Sequence, residues 1–320
     1  MTQPPWLADY RALSQAGFVR LPNRTQLEIT GKDRATFLHA FCTQDIKSLQ
    51  PGQGTEAFIT SGQGKVIGHG FVFCFEDKLL FDTVPNQAAA LIKHLDRYVI
   101  REDVKFADRT DERAAFLYCG ESSASIEEFV PYMSNMLSHI PQLNLGGLRV
   151  DIRHVPLTSF PTWELVCNSH DADALLVYAG KNNGYLVSPE ALEAARIEAR
   201  FPLYGVDITD KNLPQEVDRD KPAISFKKGC YLGQETVARI DAIGHVNRLL
   251  RLVQFAGDAV PPPGTELRAG DKVVGEVTSS SWSPKYSAPI ALAYVRSESA
   301  ASGTSLEAAC EGSTVAGRVT

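Results

Sequence analysis

No stretch of this 320-residue chain approaches the roughly 18 uncharged apolar residues that a membrane-spanning helix needs, so no membrane is expected among its partners. The opening Met1-Thr2-Gln3-Pro4-Pro5-Trp6 is too polar for a secretory signal, which predicts a cytoplasmic protein, or a mitochondrial-matrix one in a eukaryote. Cysteine is sparse and scattered. The six, at positions 42, 74, 119, 167, 230 and 310, form no C-x-x-C and no cysteine–histidine spacing suited to zinc, so we expect reduced thiols and no metal site. The sequon Asn23-Arg24-Thr25 accordingly reads as an exposed turn. Positive charge is also short: 32 Lys+Arg against 38 Asp+Glu give a net −6, which disfavours coating nucleic acid or an anionic membrane. Disorder is equally unsupported, because 44% apolar and 22% charged residues supply ordinary cores for two domains or three small ones.

What positive charge there is gathers in one place. From Arg219 to Arg251 stand seven cations (Arg219, Lys221, Lys227, Lys228, Arg239, Arg248, Arg251) against three anions (Asp220, Glu235, Asp241), a local +4 that leaves the rest of the chain at −10. Such a run is ordinarily a solvated face, but this one contains Lys228-Gly229-Cys230-Tyr231-Leu232-Gly233-Gln234-Glu235-Thr236, a thiol and a glycine turn beside two lysines, which favours an anionic ligand. Apolar Ile224 and Phe226 alternate with Ser225 like a strand edge, the glycines break the chain, and Gln234 to Ile240 resume a periodic pattern. Cys230 then sits on a loop leading to a helix or a fresh strand. Two readings of it stand: a small hydrophobe packed in a core, or a reactive thiol whose neighbours Lys227 and Lys228 favour the thiolate.

The remaining pattern is α+β. A strand from Gln26 to Thr30 precedes Asp33 as N-cap of a helix Arg34 to Phe41 with Phe37, Leu38 and Phe41 inward. Glu56 to Thr60 and Val66 to Phe75 form a hairpin about Ser61-Gly62-Gln63-Gly64-Lys65. Those glycines are not a dinucleotide loop, since β-branched and aromatic residues follow where a helix would have to open. A strand Lys78 to Asp82, a helix Asn86 to Tyr98 and a strand Val104 to Ala107 complete this unit. Next come strands Leu148 to Arg153 and Trp163 to Cys167, a helix Asp171 to Tyr178, and a strand Tyr185 to Val187. A helix then starts with Ser188 as N-cap and Pro189 at its first position, runs to about Ala194 and delivers Arg196 and Glu198 at its far end. From Arg248, short β runs around Pro261-Pro262-Pro263-Gly264 predict a small β-barrel.

The run Lys228 to Glu235 resembles the signature of the YgfZ-type folate-binding proteins, of the same superfamily as the glycine-cleavage T-protein, an aminomethyltransferase. Ala195-Arg196-Ile197-Glu198-Ala199-Arg200-Phe201-Pro202-Leu203-Tyr204-Gly205 resembles a second family segment, with Arg200 where a glycine is usual. Val274 to Ser279, Ser283-Pro284 and Ile290 to Arg296 resemble the C-terminal domain; Leu27 to Leu38 resembles the opening strand and helix. The resemblance implies a three-domain ring: two interleaved α+β folate-binding domains in 1–247, in approximate units 1–112 and 113–247, and a β-barrel in 248–320. It implies tetrahydrofolate as cofactor, with Glu198 accepting the pterin edge, Arg196 orienting that carboxylate or the neighbouring loop, and Lys228 and Arg239 meeting the glutamate tail. Tyr204 either stacks on the ligand or fills the core. In the T-protein an Asp-Asp pair follows the hairpin turn, one member of which is required at the reacting folate nitrogen. Gly68-His69 stand there in this chain, and the acidic group is gone. The resemblance therefore implies an accessory protein rather than an aminomethyltransferase, with Cys230 as its reactive thiol and iron–sulfur assembly or client proteins, including tRNA-modifying ones, as partners. A folate-dependent aminomethyltransferase or demethylase using His69 or an unidentified carboxylate is the alternative, and a folate-binding module without chemistry is another.

Overall fold

The structure, a computed structural model, describes residues 4–120, 137–310 and 313–320. The hairpin Gly54–Thr60 and Val66–Cys74 continues into a five-stranded sheet with Lys78–Thr83, Thr25–Thr30 and Lys105–Asp108. Its central strands are buried on both faces, so alternation sorts side chains between two apolar layers rather than between core and water. Ala57, Ile59 and Val72 meet Leu38, Leu91 and Leu95 of helices Arg34–His39 and Ala88–Asp96. Phe71 and Phe73 point the other way, toward Val19 and Leu117 of a six-stranded sheet. That second sheet runs Tyr185–Leu186, Gly17–Leu21, Arg113–Cys119, Thr162–Asn168, Leu148–His154, His139–Leu145, and helix Ala172–Lys181 covers its far face through Leu175.

Between the sheets lie four fully or nearly buried charges. Arg24 stands 2.5 Å from Asp82 and 2.8 Å from Glu164, and Arg153 stands 3.1 and 3.2 Å from the same two carboxylates. Two cations against two anions neutralise a site that would otherwise cost several kcal/mol per ion. Burial, with the Asp82 charge added to it, raises the Glu164 carboxyl above the usual carboxylate range.

The last 73 residues close a six-stranded barrel in the order Arg248–Phe255, Ala288–Arg296, Lys272–Ser283, Glu266–Ala269, Ser305–Cys310, Ser313–Val319. Along its second strand Ala291, Ala293 and Val295 line the barrel interior. Ile290, Leu292 and Tyr294 alternate with them and pack outward on Phe58, Val66 and Ile197, which joins the barrel to the rest. The α+β class and the C-terminal barrel are therefore as the sequence predicts.

Several local boundaries differ from expectation. The first helix after Thr30 stops at His39, not Phe41: the Ala40 and Phe41 N–H groups turn to carbonyls three residues back, those of Phe37 and Leu38, and the His39 and Ala40 carbonyls left over at this end accept Lys228 and Leu232. Asp33 occupies the N-cap position but accepts the Asp103 N–H at 2.9 Å instead of capping. The helix from Pro189 runs on to Glu198, since Arg196 and Ile197 are buried and prolong its packed face. Ile224 to Phe226 is no strand edge: the short helix Asp220–Ala223 precedes it and Ile224 alone is buried. Gln234 to Ile240 is helical, within Gln234–Ile243.

Candidate functional site

Helix Pro189–Glu198 carries Ala191, Ala194 and Ala195 on its packed face, small residues that admit the N-terminal helix Leu7–Leu13 at close range. Tyr10 of that helix donates to Glu198 Oε2 at 2.5 Å, while Ser283 Oγ and, at 3.3 Å, Lys285 N–H donate to Oε1. One carboxylate thus gathers two distant segments, the N-terminal helix and the barrel stretch 283–285. Burial first, and the Glu198 hydrogen bond second, push the Tyr10 hydroxyl far up, so it stays a donor. Arg200, two residues beyond the helix, takes the left-handed conformation (φ 58°) that explains a glycine preference at such a C-terminal position.

Arg196 does not bond Glu198. Its guanidinium donates to Phe201 O at 2.6 Å, to Asp207 Oδ2 at 2.8 Å and to Glu193, and Asp207 in turn accepts Leu203 N–H and the Thr278 and Ser279 hydroxyls. It therefore orders the neighbouring loop and fastens that loop to the barrel. Tyr204 is half-buried against the apolar cluster that contains Tyr231 and Tyr294.

The basic segment is mostly paired internally. Lys228 is buried, its ammonium donating to the His39, Cys42 and Gln44 carbonyls beyond the end of helix Arg34–His39; burial lowers its pKa. Arg219 pairs with Glu56, Arg248 with Glu216 and Arg251 with Asp218. Lys221, Lys227 and Arg239 are exposed. Cys230 is exposed on its loop, while Cys42, Cys74, Cys119, Cys167 and Cys310 are buried.

At the hairpin, a Cβ on Gly68 would stand 2.9 Å from Leu91 Cδ2, so position 68 faces a packed helix. His69 faces the opposite side, its Nε2 2.7 Å from Glu56 Oε1 across the strand pair. Arg219 Nε donates to the same oxygen at 2.8 Å. Burial alone would raise the Glu56 carboxyl, but the Arg219 and His69 contacts outweigh it and hold it at about 2. Phe58 and Phe201 flank the His69 ring at 4.8 and 5.5 Å, and Phe201 also carries the Arg219 guanidinium at 5.1 Å. Sequence reasoning singled out His69 and missed Glu56, Arg219 as its partner, Tyr10 and Ser283. The available signal was a glutamate in a strand otherwise made of Gly, Ala, Phe, Ile and Thr.

The residues brought together are thus Glu198 with Tyr10 and Ser283, and His69 with Glu56 and Arg219; Phe201 lies against the second group and shares an apolar cluster with Tyr10. Residues 7–228 match the family model described as the GCVT N-terminal domain, and 248–320 match the glycine cleavage T-protein C-terminal barrel domain. An aminomethyltransferase of Symbiobacterium thermophilum is 26% identical over 98% of this chain and 87% of its own. A putative chloroplastic transferase of Arabidopsis thaliana is 23% identical over 90% of this chain and 67% of its own. The solved aminomethyltransferase T of the Bartonella henselae glycine cleavage system has the same fold, with TM-score 0.82 at 17% identity over 98% of this chain and 87% of that one.

Proposed function

Because this chain belongs to the glycine cleavage T-protein family, we propose that it binds tetrahydrofolate or a close derivative and acts as an accessory protein of the YgfZ type. In this reading it supports assembly or repair of iron–sulfur clusters in client enzymes, tRNA-modifying ones among them, in the cytoplasm or a mitochondrial matrix. The observation that carries it is the hairpin chemistry. Position 68 carries no side chain and turns toward the Leu91 side chain, which a Cβ there would crowd at 2.9 Å, and Glu56, the carboxylate beside His69, is locked by Arg219 with its pKa at about 2. A group so acidic neither donates nor relays a proton near neutrality.

Folate fits the residues present. Glu198 is a buried carboxyl bonded by Tyr10, whose ring lies 5.7 Å from that of Phe160, suited to the N–H edge of a flat ring. Three of its roughly four acceptor positions are taken, so a two-donor edge exchanges with the Lys285 N–H, the longest of the present contacts. Arg196 positions the loop below, and Tyr204 borders it. Arg239 is an exposed cation available to a glutamate tail, whereas Lys228 supports that end by fixing the loop. Cys230 supplies an exposed thiol for the accessory role.

The alternative, a folate-dependent aminomethyltransferase or demethylase, draws on the full-length similarity to aminomethyltransferases. One experiment separates the two: purified protein is given tetrahydrofolate and a lipoyl-bound aminomethyl donor. We expect folate binding by calorimetry and no aminomethyl transfer; sustained turnover would establish the enzyme and overturn the accessory reading.

A further inference from the structure

A cleft of about 230 Å³ opens where the end of helix Gln234–Ile243 meets the Gln215 turn and the first barrel strand. Its polar lining is Gln215, Asp220, Asp241, His245 and Ser297, three of which bring carboxylate or amide oxygens. Gln215 is only 6% exposed; its Nε2 donates to Val237 O at 2.6 Å, which fixes the amide and leaves Oε1 as an acceptor without a donor. Asp220 also lines the cleft, and its Oδ1 is likewise buried without a donor. Burial, then the charges of Asp218 and Asp241, push the Asp220 carboxyl up to about 6. Asp241 completes the lining, and the helix ends here at Gly244 (φ 81°), presenting the negative end of its dipole. Each feature favours a cation.

The volume decides which kind. It equals about seven waters at ~30 Å³ each, far more than a bare ion fills, and no group of three or more metal-ligating side chains occurs among the described residues. Ile240, Val246 and Leu249 supply an apolar wall. We propose that this cleft binds the primary ammonium of a small aliphatic amine: Gln215 Oε1, Asp220 Oδ1 and the Asp241 carboxylate accept its three N–H donors, and the apolar wall covers its alkyl chain. This site does not depend on the folate reading.

The test titrates n-butylammonium into the full-length protein by calorimetry at neutral pH, with n-butanol as the uncharged comparison. Saturable one-site binding of butylammonium and none of butanol is expected. Asp220→Asn should weaken it at least tenfold while raising the melting temperature of the ligand-free protein, because it removes a charge repelled by Asp218 and Asp241. Asp241→Asn, at an exposed helix end, should weaken it several-fold and decides the matter if Asp220→Asn does not fold. Absence of saturable binding, equal binding of butanol, insensitivity to both substitutions, or displacement by micromolar calcium or magnesium would each overturn the proposal.

Discussion

Gly233 lies so close to Gly64 that a Cβ on Gly233 would stand 2.7 Å from the Gly64 backbone and 2.3 Å from the Ser61 carbonyl oxygen. The thiol-loop glycine is thus a docking surface for the hairpin that carries His69, and Thr60 Oγ1 donates to Leu232 O at 2.7 Å beside it. Gly233→Ala meets backbone on one side and a left-handed φ of 82° on the other, so it should cost about 3 kcal/mol or more. Gly229→Ala, whose new Cβ meets nothing nearer than the His39 side chain at 4.0 Å, should stay within about 0.5 kcal/mol. Denaturant titration of both variants checks the contrast.

Glu198→Gln replaces one acceptor by a donor where Tyr10, Ser283 and Lys285 all donate. The variant should therefore lose stability as well as about 1.5–3 kcal/mol of folate affinity. Tyr10→Phe keeps the carboxylate and should retain folate binding at a stability cost of about 1 kcal/mol. Unchanged folate affinity in folded Glu198→Gln would remove Glu198 from the site.

Cys230 should react first with an alkylating agent, one thiol per native chain, with the other five appearing only on unfolding. Burial pushes the Cys42 and Cys119 thiols up and the Cys167 thiol to about 11, which slows them further. Peptide mapping reads the order. Slow native labelling, together with full complementation by Cys230→Ser in cells lacking the protein, would leave the thiol without a chemical role.

Glu56 makes stability pH-dependent with a defined sign. Its folded pKa of about 2 lies below the ordinary 4.5, so its contribution is complete above about pH 4.5 and is lost as pH falls toward 2. The shift corresponds to about 3 kcal/mol. The stability difference between the native chain and Glu56→Gln should hold constant from pH 7 to 5 and shrink below that; a difference that grows on acidification would contradict the ion pair with Arg219.

Periodicity and punctuation sufficed for many of the elements but missed helix Leu7–Leu13 and strands Gly17–Leu21, Arg113–Cys119 and His139–Leu145. The hairpin about Ser61–Lys65, the helix opening at Pro189 and the barrel strands from Arg248 follow from local rules, because apolar spacing and turn residues act over a few positions. Alternation did not tell two buried layers from core and solvent, so Glu56 and Glu164, carboxylates inside strands with no exposed face, carried their meaning unread. The +4 segment also overstated its free charge, since net charge along a chain ignores partners far away in sequence.

The sequence by itself determined the class, the barrel, the loop that carries Cys230 and the segments shared with a folate-binding family, while the exposure of Cys230 came from the structure. Tertiary structure alone decided that Lys228 holds three carbonyls, that Arg196 orders a loop rather than Glu198, and that Tyr10 and Ser283 meet on Glu198 across separations of 188 and 85 residues. The reason is the directionality of polar groups. Apolar burial is non-directional and readable from local pattern, whereas a buried charge takes whichever donor or acceptor the packed chain brings within about 3 Å.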